Sequence, residues 1–210
     1  MAETGATQAE QLDQAWVEDF ARRWEEAWNS HEHARLLELM TEDLLYDDSA
    51  WPTTMRGHGD VRTYLDYVWR AFPDLRFELL DGPYIAPGQP KAAFYWRGSA
   101  THTGPLEPPG FAPTGKRVEF EGADFQEYRE GRVSRLRVVF DMMDVGRQIG
   151  TVPQAGSPVE KAGAAAQRLG MKVRERMRRR SPRSPVPSVS GWSRRTNGSN
   201  GEIGAARHAG

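Results

Sequence analysis

Two ionisable residues, His102 and Asp124, lie on strand faces that are otherwise mostly apolar or small. His102 ends the segment 91–102 (KAAFYWRGSATH), and Asp124 lies within the segment 116–128 (KRVEFEGADFQEY). Successive side chains of a strand point to opposite faces, so each residue shares its face with every second neighbour. Apolar surroundings shift the pKa of an ionisable group and make an acid or a base usable near neutral pH. The pattern therefore predicts a candidate acid/base pair.

A structural role is the alternative for both residues. Under this hypothesis His102 and Asp124 pair with each other or cap backbone groups, since buried ion pairs also perturb pKa values. Two further carboxylates, Asp48 and Asp141, end predicted strands, where such residues more often cap the turn or helix that follows. The sequence therefore favours a structural role for Asp48 and Asp141.

No metal and no cofactor are expected. The chain has no cysteine, which excludes disulfides and thiolate chemistry. His31 and His33 are two positions apart and do not share a helical face, so a zinc site is not predicted. No phosphate-binding glycine fingerprint follows a strand, and a nucleotide cofactor is therefore not indicated.

The elements that position these residues predict an α+β fold. Apolar residues at helical spacing predict helices at about 9–29, 34–40, 61–72 (with Asp60 as its N-cap) and 142–149. Apolar or alternating runs predict strands at about 44–48, 75–85, 91–102, 116–128 and 133–141. The turn 129–132 (REGR) contains an Xaa-Gly pair, which is typical of a hairpin.

One face of the first predicted helix is aromatic and consists of Trp16, Phe20, Trp24 and Trp28. Helix-spaced aromatic residues usually pack in a core, so a buried stripe is the simplest interpretation. Stacking against a ligand is the alternative. Both interpretations hold together if the core is an incompletely filled pocket, because the same rings then pack in the core and contact a ligand.

Charge divides the chain into two physically different parts. Residues 1–160 have a net charge of −11, whereas residues 161–210 contain 12 Lys and Arg against 2 Asp and Glu. An acidic globular body followed by a basic extension is therefore expected. The sequence predicts five segments: a flexible leader at 1–8, a globular domain at 9–150, a linker at 151–158, a basic helix at 159–180 and a disordered tail at 181–210.

The basic extension favours a solubilising or oligomer-contacting tail that also binds polyanions nonspecifically through residues 161–195. Specific nucleic-acid recognition is not favoured, because no known DNA- or RNA-binding motif is present. No apolar run approaches the ~20 residues of a membrane span. The N-terminus lacks the basic start and apolar core of a signal peptide, so we expect a cytoplasmic protein.

Six short segments add to the aromatic first helix: RGHG (56–59), AFPDL (71–75), HTG (102–104), PTGKRV (113–118), GRV (131–133) and FD (140–141). As a set they make the chain similar, over about residues 10–150, to the SnoaL-like polyketide cyclase and ester cyclase family. That family shares its fold with nuclear transport factor 2-like proteins and ketosteroid isomerases. The resemblance implies a cone-shaped, curved antiparallel sheet covered by the N-terminal helices, with a deep pocket between them.

The resemblance also implies chemistry. In cyclases of this type an acidic residue acts as acid and base in an intramolecular aldol closure, with a histidine nearby and no metal. Carried onto this sequence, it implies Asp124 as the base and His102 as the group that polarises or relays. The expected substrate-binding wall consists of Trp24, Trp28, Tyr46, Trp96, Phe120 and Gln126. A homodimer is also implied, because exposed faces of such sheets often pair.

The leading hypothesis is a cofactor-independent cyclase or isomerase that acts on a small apolar or polycyclic, polyketide-like ligand. One alternative is epoxide hydrolysis, in which a carboxylate activates water and Gln126 and Tyr46 supply further polar groups. The other is a non-catalytic ligand-binding or dimerisation module in which His102 and Asp124 are structural. An open cavity with these two residues facing each other favours catalysis, and a filled cone favours the structural role.

Overall fold

The computed structural model describes residues 12–107 and 110–180, except the side chains of residues 179 and 180. Its elements follow in this order: α1 (Gln14–Ser30), α2 (His33–Leu37), β1 (Met40–Asp48), β2 (Met55–Arg56), α3 (Gly57–Ala71), β3 (Arg76–Ile85), β4 (Lys91–Thr101), β5 (Arg117–Arg129), β6 (Arg132–Phe140), α4 (Met142–Ile149) and α5 (Pro158–Arg180). The chain divides into two units, residues 1–162 and residues 163–210. The leader predicted at 1–8 and the tail predicted at 181–210 lie outside the described residues.

Six strands form one curved sheet in the order β2-β1-β6-β5-β4-β3. Strands β3 to β6 pair antiparallel with their neighbours in the chain, as the sequence predicts. The turn between β5 and β6 has positive φ at Glu130 (52°) and Gly131 (72°), which suits a two-residue hairpin. The predicted α+β class is confirmed, and the structure adds that β1 pairs parallel with β6. This pairing is open to them because a long connection, not a hairpin turn, separates the two strands.

Helix α1 places its aromatic face against the sheet. Asp13 caps the helix by accepting a hydrogen bond from the backbone N–H of Trp16 (2.9 Å). The buried residues of the helix are Val17, Phe20, Ala21, Trp24, Ala27 and Trp28. Because these residues recur at helical spacing, one stripe of the helix meets β3 and the core, while the charged residues stay outside.

Predicted helix boundaries are wrong in three places: α1 begins at Gln14 and not at about residue 9, and the start of α3 and the end of α2 also differ. Helix α3 begins one turn earlier than predicted, with Arg56 and not Asp60 at its N-cap position. Asp60 lies in the first turn and accepts a hydrogen bond from the backbone N–H of Arg56 (2.9 Å). Gly57 opens the helix at φ +68°, where a Cβ would lie 2.7 Å from a backbone carbonyl oxygen, so glycine is required. Met40, predicted to end the second helix, begins β1 instead because it pairs with β6.

The last two helices follow the sequence pattern. Asp141 caps α4, as predicted, and its Oδ1 accepts from the backbone N–H groups of Met143 (2.9 Å) and Asp144 (3.0 Å). Pro158 begins α5, where its missing N–H costs no helical hydrogen bond. Among the helices of the described residues, none has both the length and the apolar composition that a membrane crossing requires.

Candidate active site

A cavity lies between α1 and the inner face of the sheet, and α3 and α4 complete its wall. Its volume is about 120 Å³, counted as the space that the centre of a water molecule can reach. One water molecule needs roughly 10–15 Å³ by this measure, so there is room for a small organic molecule. The wall is mostly aromatic and aliphatic, and the carboxyl groups of Glu25, Asp48 and Asp124 interrupt it.

Glycines on neighbouring strands make room for two large rings of the wall. Trp96 is directly opposite Gly122, and Phe120 is directly opposite Gly98. A Cβ on Gly122 would lie 2.6 Å from the Trp96 ring, and a Cβ on Gly98 would lie 2.7 Å from the Phe120 ring. Both rings therefore lie over glycine, in a T-shaped contact with centroids 5.8 Å apart. Because they pack this close to the sheet, space remains above them.

Asp124 lies on the cavity wall and is only 5% exposed. Its carboxylate accepts hydrogen bonds from the indole N–H of Trp96 (2.7 Å), the indole N–H of Trp24 (3.0 Å) and the amide of Gln126 (3.3 Å). Burial raises the pKa of Asp124 from 3.8 to about 6; the three hydrogen bonds oppose this rise, and the charge of Asp48 adds to it. Desolvation outweighs the donors, all of which are neutral. A carboxyl group with this pKa can take up and release a proton near neutral pH.

Asp48, at the end of β1, is a second buried carboxyl group on the wall. Its Oδ2 accepts from the hydroxyls of Tyr46 (2.9 Å) and Tyr64 (3.0 Å). Its Oδ1 accepts from the backbone N–H of Ala50 (2.7 Å), which is the capping role that the sequence predicts. Burial raises the pKa of Asp48, and burial together with the charge of Asp48 raises the pKa of both tyrosines. Asp48 therefore belongs to a buried hydroxyl–carboxyl cluster as well as to a turn.

Strand register explains why the two carboxyl groups lie near each other. Asp124 of β5 and Asp48 of β1 are both directly opposite Val138 of β6, the strand between them. Neighbouring strands are about 4.8 Å apart, so the two Cα atoms are separated by about 10 Å. Directly opposed residues point to the same face of a sheet, and both carboxyl groups accordingly line the cavity.

The structure does not bring His102 to Asp124, which corrects the expectation of a facing pair. Asp124 is directly opposite Phe94 of β4. Phe94 precedes His102 by eight positions, and eight residues of extended chain span about 26 Å. His102 is fully buried outside the cavity wall, with its ring centroid 5.3 Å from that of Phe72. Its Nδ1 lies 3.2 Å from the hydroxyl oxygen of Thr114, and burial lowers its pKa. Alternation correctly predicts a shared face, but distance along the strand separates the two residues.

The other predicted substrate-binding residues divide into two groups. Five of them line the cavity: Trp24, Trp28, Tyr46, Trp96 and Phe120. Gln126 does not; it lies behind Asp124, where its amide donates to the carboxylate and its Oε1 accepts from the hydroxyl of Tyr128 (2.7 Å). Gln126 therefore holds Asp124 in place and does not form part of the wall.

Among the wall residues that the predicted site omits, Asp48 and Tyr64 are buried and carry polar groups. Asp48 looks like an ordinary strand-end cap because local sequence does not show that β1 lies beside β6. Tyr64 lies on the buried face of α3, three residues after Val61 and one before Leu65. That helical spacing is the signal that could have placed Tyr64 against the cavity.

A curved sheet with helices on its inner face and a buried carboxyl group in an apolar cavity defines a protein of the nuclear transport factor 2-like class. Solved structures agree with this fold. The chain is similar to AclR, a candidate hydroxylase from Streptomyces galilaeus, with 20% identity and a TM-score of 0.58 over 78% of this chain and 98% of that chain. It is similar to a candidate SnoaL-like polyketide cyclase from Jannaschia sp. CCS1, with 16% identity and a TM-score of 0.58 over 70% and 99% of the two chains. It is also similar to IdmH, a candidate polyketide cyclase from Streptomyces antibioticus, with 23% identity and a TM-score of 0.53 over 63% and 97%.

The family model of the SnoaL-like polyketide cyclases matches residues 18–149, which is more than half of the chain. The chain therefore belongs to the SnoaL-like polyketide cyclase family, and the resemblance seen in the sequence is confirmed. A comparison with curated proteins gives no match.

Proposed function

We propose that this protein is a cofactor-independent cyclase or isomerase that acts on a small apolar or polycyclic, polyketide-like ligand in the cavity beneath α1. The observation that carries the proposal is Asp124, a buried carboxyl group with a pKa of about 6 on an aromatic wall. Family membership supports the reaction class, as does the candidate polyketide cyclase activity of IdmH.

In the proposed reaction, Asp124 moves the proton. Aldol ring closure begins when a base removes a proton from the carbon next to a carbonyl group. The carboxylate of Asp124 takes this proton, and the resulting acid returns a proton to the product after the carbon–carbon bond forms. The donors from Trp24, Trp96 and Gln126 fix the carboxylate in one orientation. Because these donors are neutral, they do not lower its basicity as strongly as a positive charge would.

The enolate oxygen needs a hydrogen-bond donor, and the cluster of Tyr46, Asp48 and Tyr64 is the proposed source. Tyr46 and Tyr64 carry the O–H groups that can donate, and burial raises the pKa of both, which keeps the two hydroxyls protonated. Ketosteroid isomerase uses a similar division of labour, with one carboxylate as base and a tyrosine among the donors to the oxygen. The two hydroxyls take the place proposed for His102 from sequence, since the Asp48 that holds them lies in the same cross-strand row as Asp124.

A ligand screen by thermal shift tests the proposal on the full-length wild type and on Asp124→Asn. The compounds are polycyclic aromatic polyketides, steroids and fatty acids, and a ligand that binds only the folded state raises the melting temperature. The proposal is supported if a compound binds both proteins and only the wild type converts it to a product. Binding without turnover by either protein favours the non-catalytic module. If no class of compound binds, the proposal is refuted.

We also propose that the outer face of the sheet binds a second copy of the chain. This face exposes Tyr84 (56%), Tyr95 (38%) and Phe125 (50%). Phe125 is opposite Ala93, and Ala93 is opposite Tyr84, so the apolar surface is continuous across three strands. One end of this face carries an acidic cluster around an arginine: Glu78, Arg97, Glu119 and Glu121. Arg137 and Arg135 lie on β6, opposite Phe125 and Glu127 of β5, and a two-fold pairing would set the acidic cluster of one copy against these arginines of the other.

Helix α5 is the proposed site of nonspecific contact with polyanions. Its exposed basic residues are Lys161, Arg168, Lys172, Arg174, Arg176 and Arg178. Clustered positive side chains attract phosphate and sulfate groups without reading sequence, and such binding weakens as salt rises. The remainder of the predicted contact region, residues 181–195, lies outside the described residues.

A further inference from the structure

The cavity that carries the proposed function is lined, among the residues that the structure describes, by acidic groups and by no basic ones. Glu25, Asp48 and Asp124 are its ionisable side chains with carboxyl groups, and no Lys, Arg or His of the described residues lines it. Both buried carboxyl groups are held by neutral donors, namely indole N–H, side-chain amide, hydroxyl and backbone N–H groups. A ligand in this cavity therefore meets negative charge that no positive side chain on the wall offsets.

Aromatic rings stand close to the same carboxyl groups. The ring centroid of Trp96 lies 5.0 Å from that of Phe77, with an angle of 83° between the ring planes. It lies 5.8 Å from that of Phe120, with an interplanar angle of 88°. The ring centroids of Trp28 and Phe77 are 5.2 Å apart, and their ring planes are inclined at 71°. All four rings line the cavity, and the steep angles between them mean that the wall presents aromatic surface in more than one orientation. The face of an aromatic ring attracts a cation through its quadrupole, and sets of such rings are known to recognise alkylammonium groups.

Each buried carboxylate keeps hydrogen-bonding capacity for a ligand. An ionised carboxylate offers about four lone-pair sites. Asp124 accepts three hydrogen bonds, and Asp48 also accepts three. An ammonium group has N–H donors and no acceptor, so it matches the free sites on both residues and brings positive charge with it.

We propose that the ligand of this cavity carries a protonated amine on an apolar, ring-containing body, and that ligands with a free carboxylate are excluded. The amine lies at the row of Asp48 and Asp124, and the ring body lies along the aromatic wall. A buried ammonium group is costly unless opposite charge pairs with it, and the carboxylates supply that charge. A carboxylate ligand would instead bring a like charge into the same space. The inference rests on the proposed function, because it names the ligand class of the same cavity.

Three naphthalene compounds of nearly the same shape test the charge preference: 1-naphthylmethylamine (cation), 1-naphthalenemethanol (neutral) and 1-naphthoate (anion). Calorimetry on the full-length protein at neutral pH measures the three dissociation constants. We expect the amine to bind about tenfold tighter than the alcohol, and the naphthoate to bind about tenfold weaker than the alcohol. The alcohol should displace the amine, because both occupy the cavity.

Charge-removing variants locate the effect within the cavity. Asp124→Asn and Asp48→Asn should each reduce the amine-over-alcohol preference, taken as the ratio of the two dissociation constants, by about threefold. Glu38→Gln, which removes an exposed carboxylate away from the cavity, is the matched control and should preserve the preference. Circular dichroism verifies the fold of each variant. The three-compound series on the wild type decides the question even if one variant does not fold.

The outcomes separate this inference from the proposed function. If the alcohol binds as tightly as the amine, or if the preference survives both Asn variants unchanged, the inference is overturned. If none of the three compounds binds while a polyketide-type compound does, the inference fails and the proposed function stands. If the naphthalene compounds bind as expected but neither they nor any screened compound is turned over, the ligand class is supported and the catalytic proposal fails.

Discussion

Replacement of Asp124 by Asn should change how the stability of the protein depends on pH. Burial raises the pKa of this carboxyl group from 3.8 to about 6 in the folded state. Between these values the unfolded chain loses the proton while the folded chain keeps it, so ionisation favours unfolding. The stability that Asp124 contributes is therefore fully present below about pH 4 and is lost as the pH rises through about 6.

The size of this effect follows from the pKa difference. About two pKa units at 1.36 kcal/mol per unit correspond to about 3 kcal/mol of unfolding free energy. About half of this amount, ~1.5 kcal/mol, is lost between pH 5 and pH 8. Asp124 is almost fully buried, so solvent screening reduces this contribution to the unfolding free energy very little. Asp48 is present in both proteins, and its own titration largely cancels in the comparison.

The Asn side chain adds an effect that does not depend on pH. Each oxygen of Asp124 accepts one indole N–H, from Trp96 at Oδ1 and from Trp24 at Oδ2. Asn offers one carbonyl oxygen and one NH₂ group, so one indole N–H then faces a donor. An unmade hydrogen bond at a buried site costs about 1–3 kcal/mol. We therefore expect Asp124→Asn to be less stable than wild type at pH 5 and to recover ~1.5 kcal/mol relative to wild type at pH 8.

Urea unfolding followed by tryptophan fluorescence, at pH 5 and at pH 8, measures both quantities. Glu26→Gln is the control, because it removes an exposed carboxylate from the outer side of α1 and leaves the cavity untouched. A difference between wild type and Asp124→Asn that is the same at both pH values would refute the raised pKa of Asp124. The desolvation argument for an acid/base role would then lose its basis.

Four further changes test other parts of the molecule. Tyr64→Phe removes a hydrogen bond to Asp48 and should lower the unfolding free energy by about 1.5–3 kcal/mol, measured by urea titration. His102→Phe keeps an aromatic ring at a position outside the cavity wall, so the turnover rate should stay near that of the wild type. A loss of turnover of about a hundredfold or more would instead support an acid/base role for His102. Phe125→Glu should convert a dimer to a monomer in analytical ultracentrifugation, and a dimeric variant would contradict the proposed interface. Arg176→Glu should elute from heparin at lower salt than wild type, whereas unchanged elution would remove α5 from the contact.

Features that depend on neighbouring residues in the chain could be predicted. A strand has a side-chain period of two, so the cavity face of Trp96, Phe120 and Asp124 follows from alternation within β4 and β5. The same holds for the aromatic stripe of α1 and for Asp141, which caps α4 because a helix begins at the next residue. In these cases the information is local, and tertiary packing agrees with it.

Tertiary structure alone decided which chemical groups meet. Asp48 and Asp124 are far apart in sequence and come together because β6 lies between their strands, with Val138 opposite both. His102 and Asp124 share a face but not a row, since the β4–β5 register places Phe94 opposite the carboxyl group. Strand order and register arise from long-range packing, which composition and periodicity do not encode one segment at a time. The amino-acid sequence by itself thus determined the fold class, the cavity face and one acidic group, and the sheet determined the partner of that group.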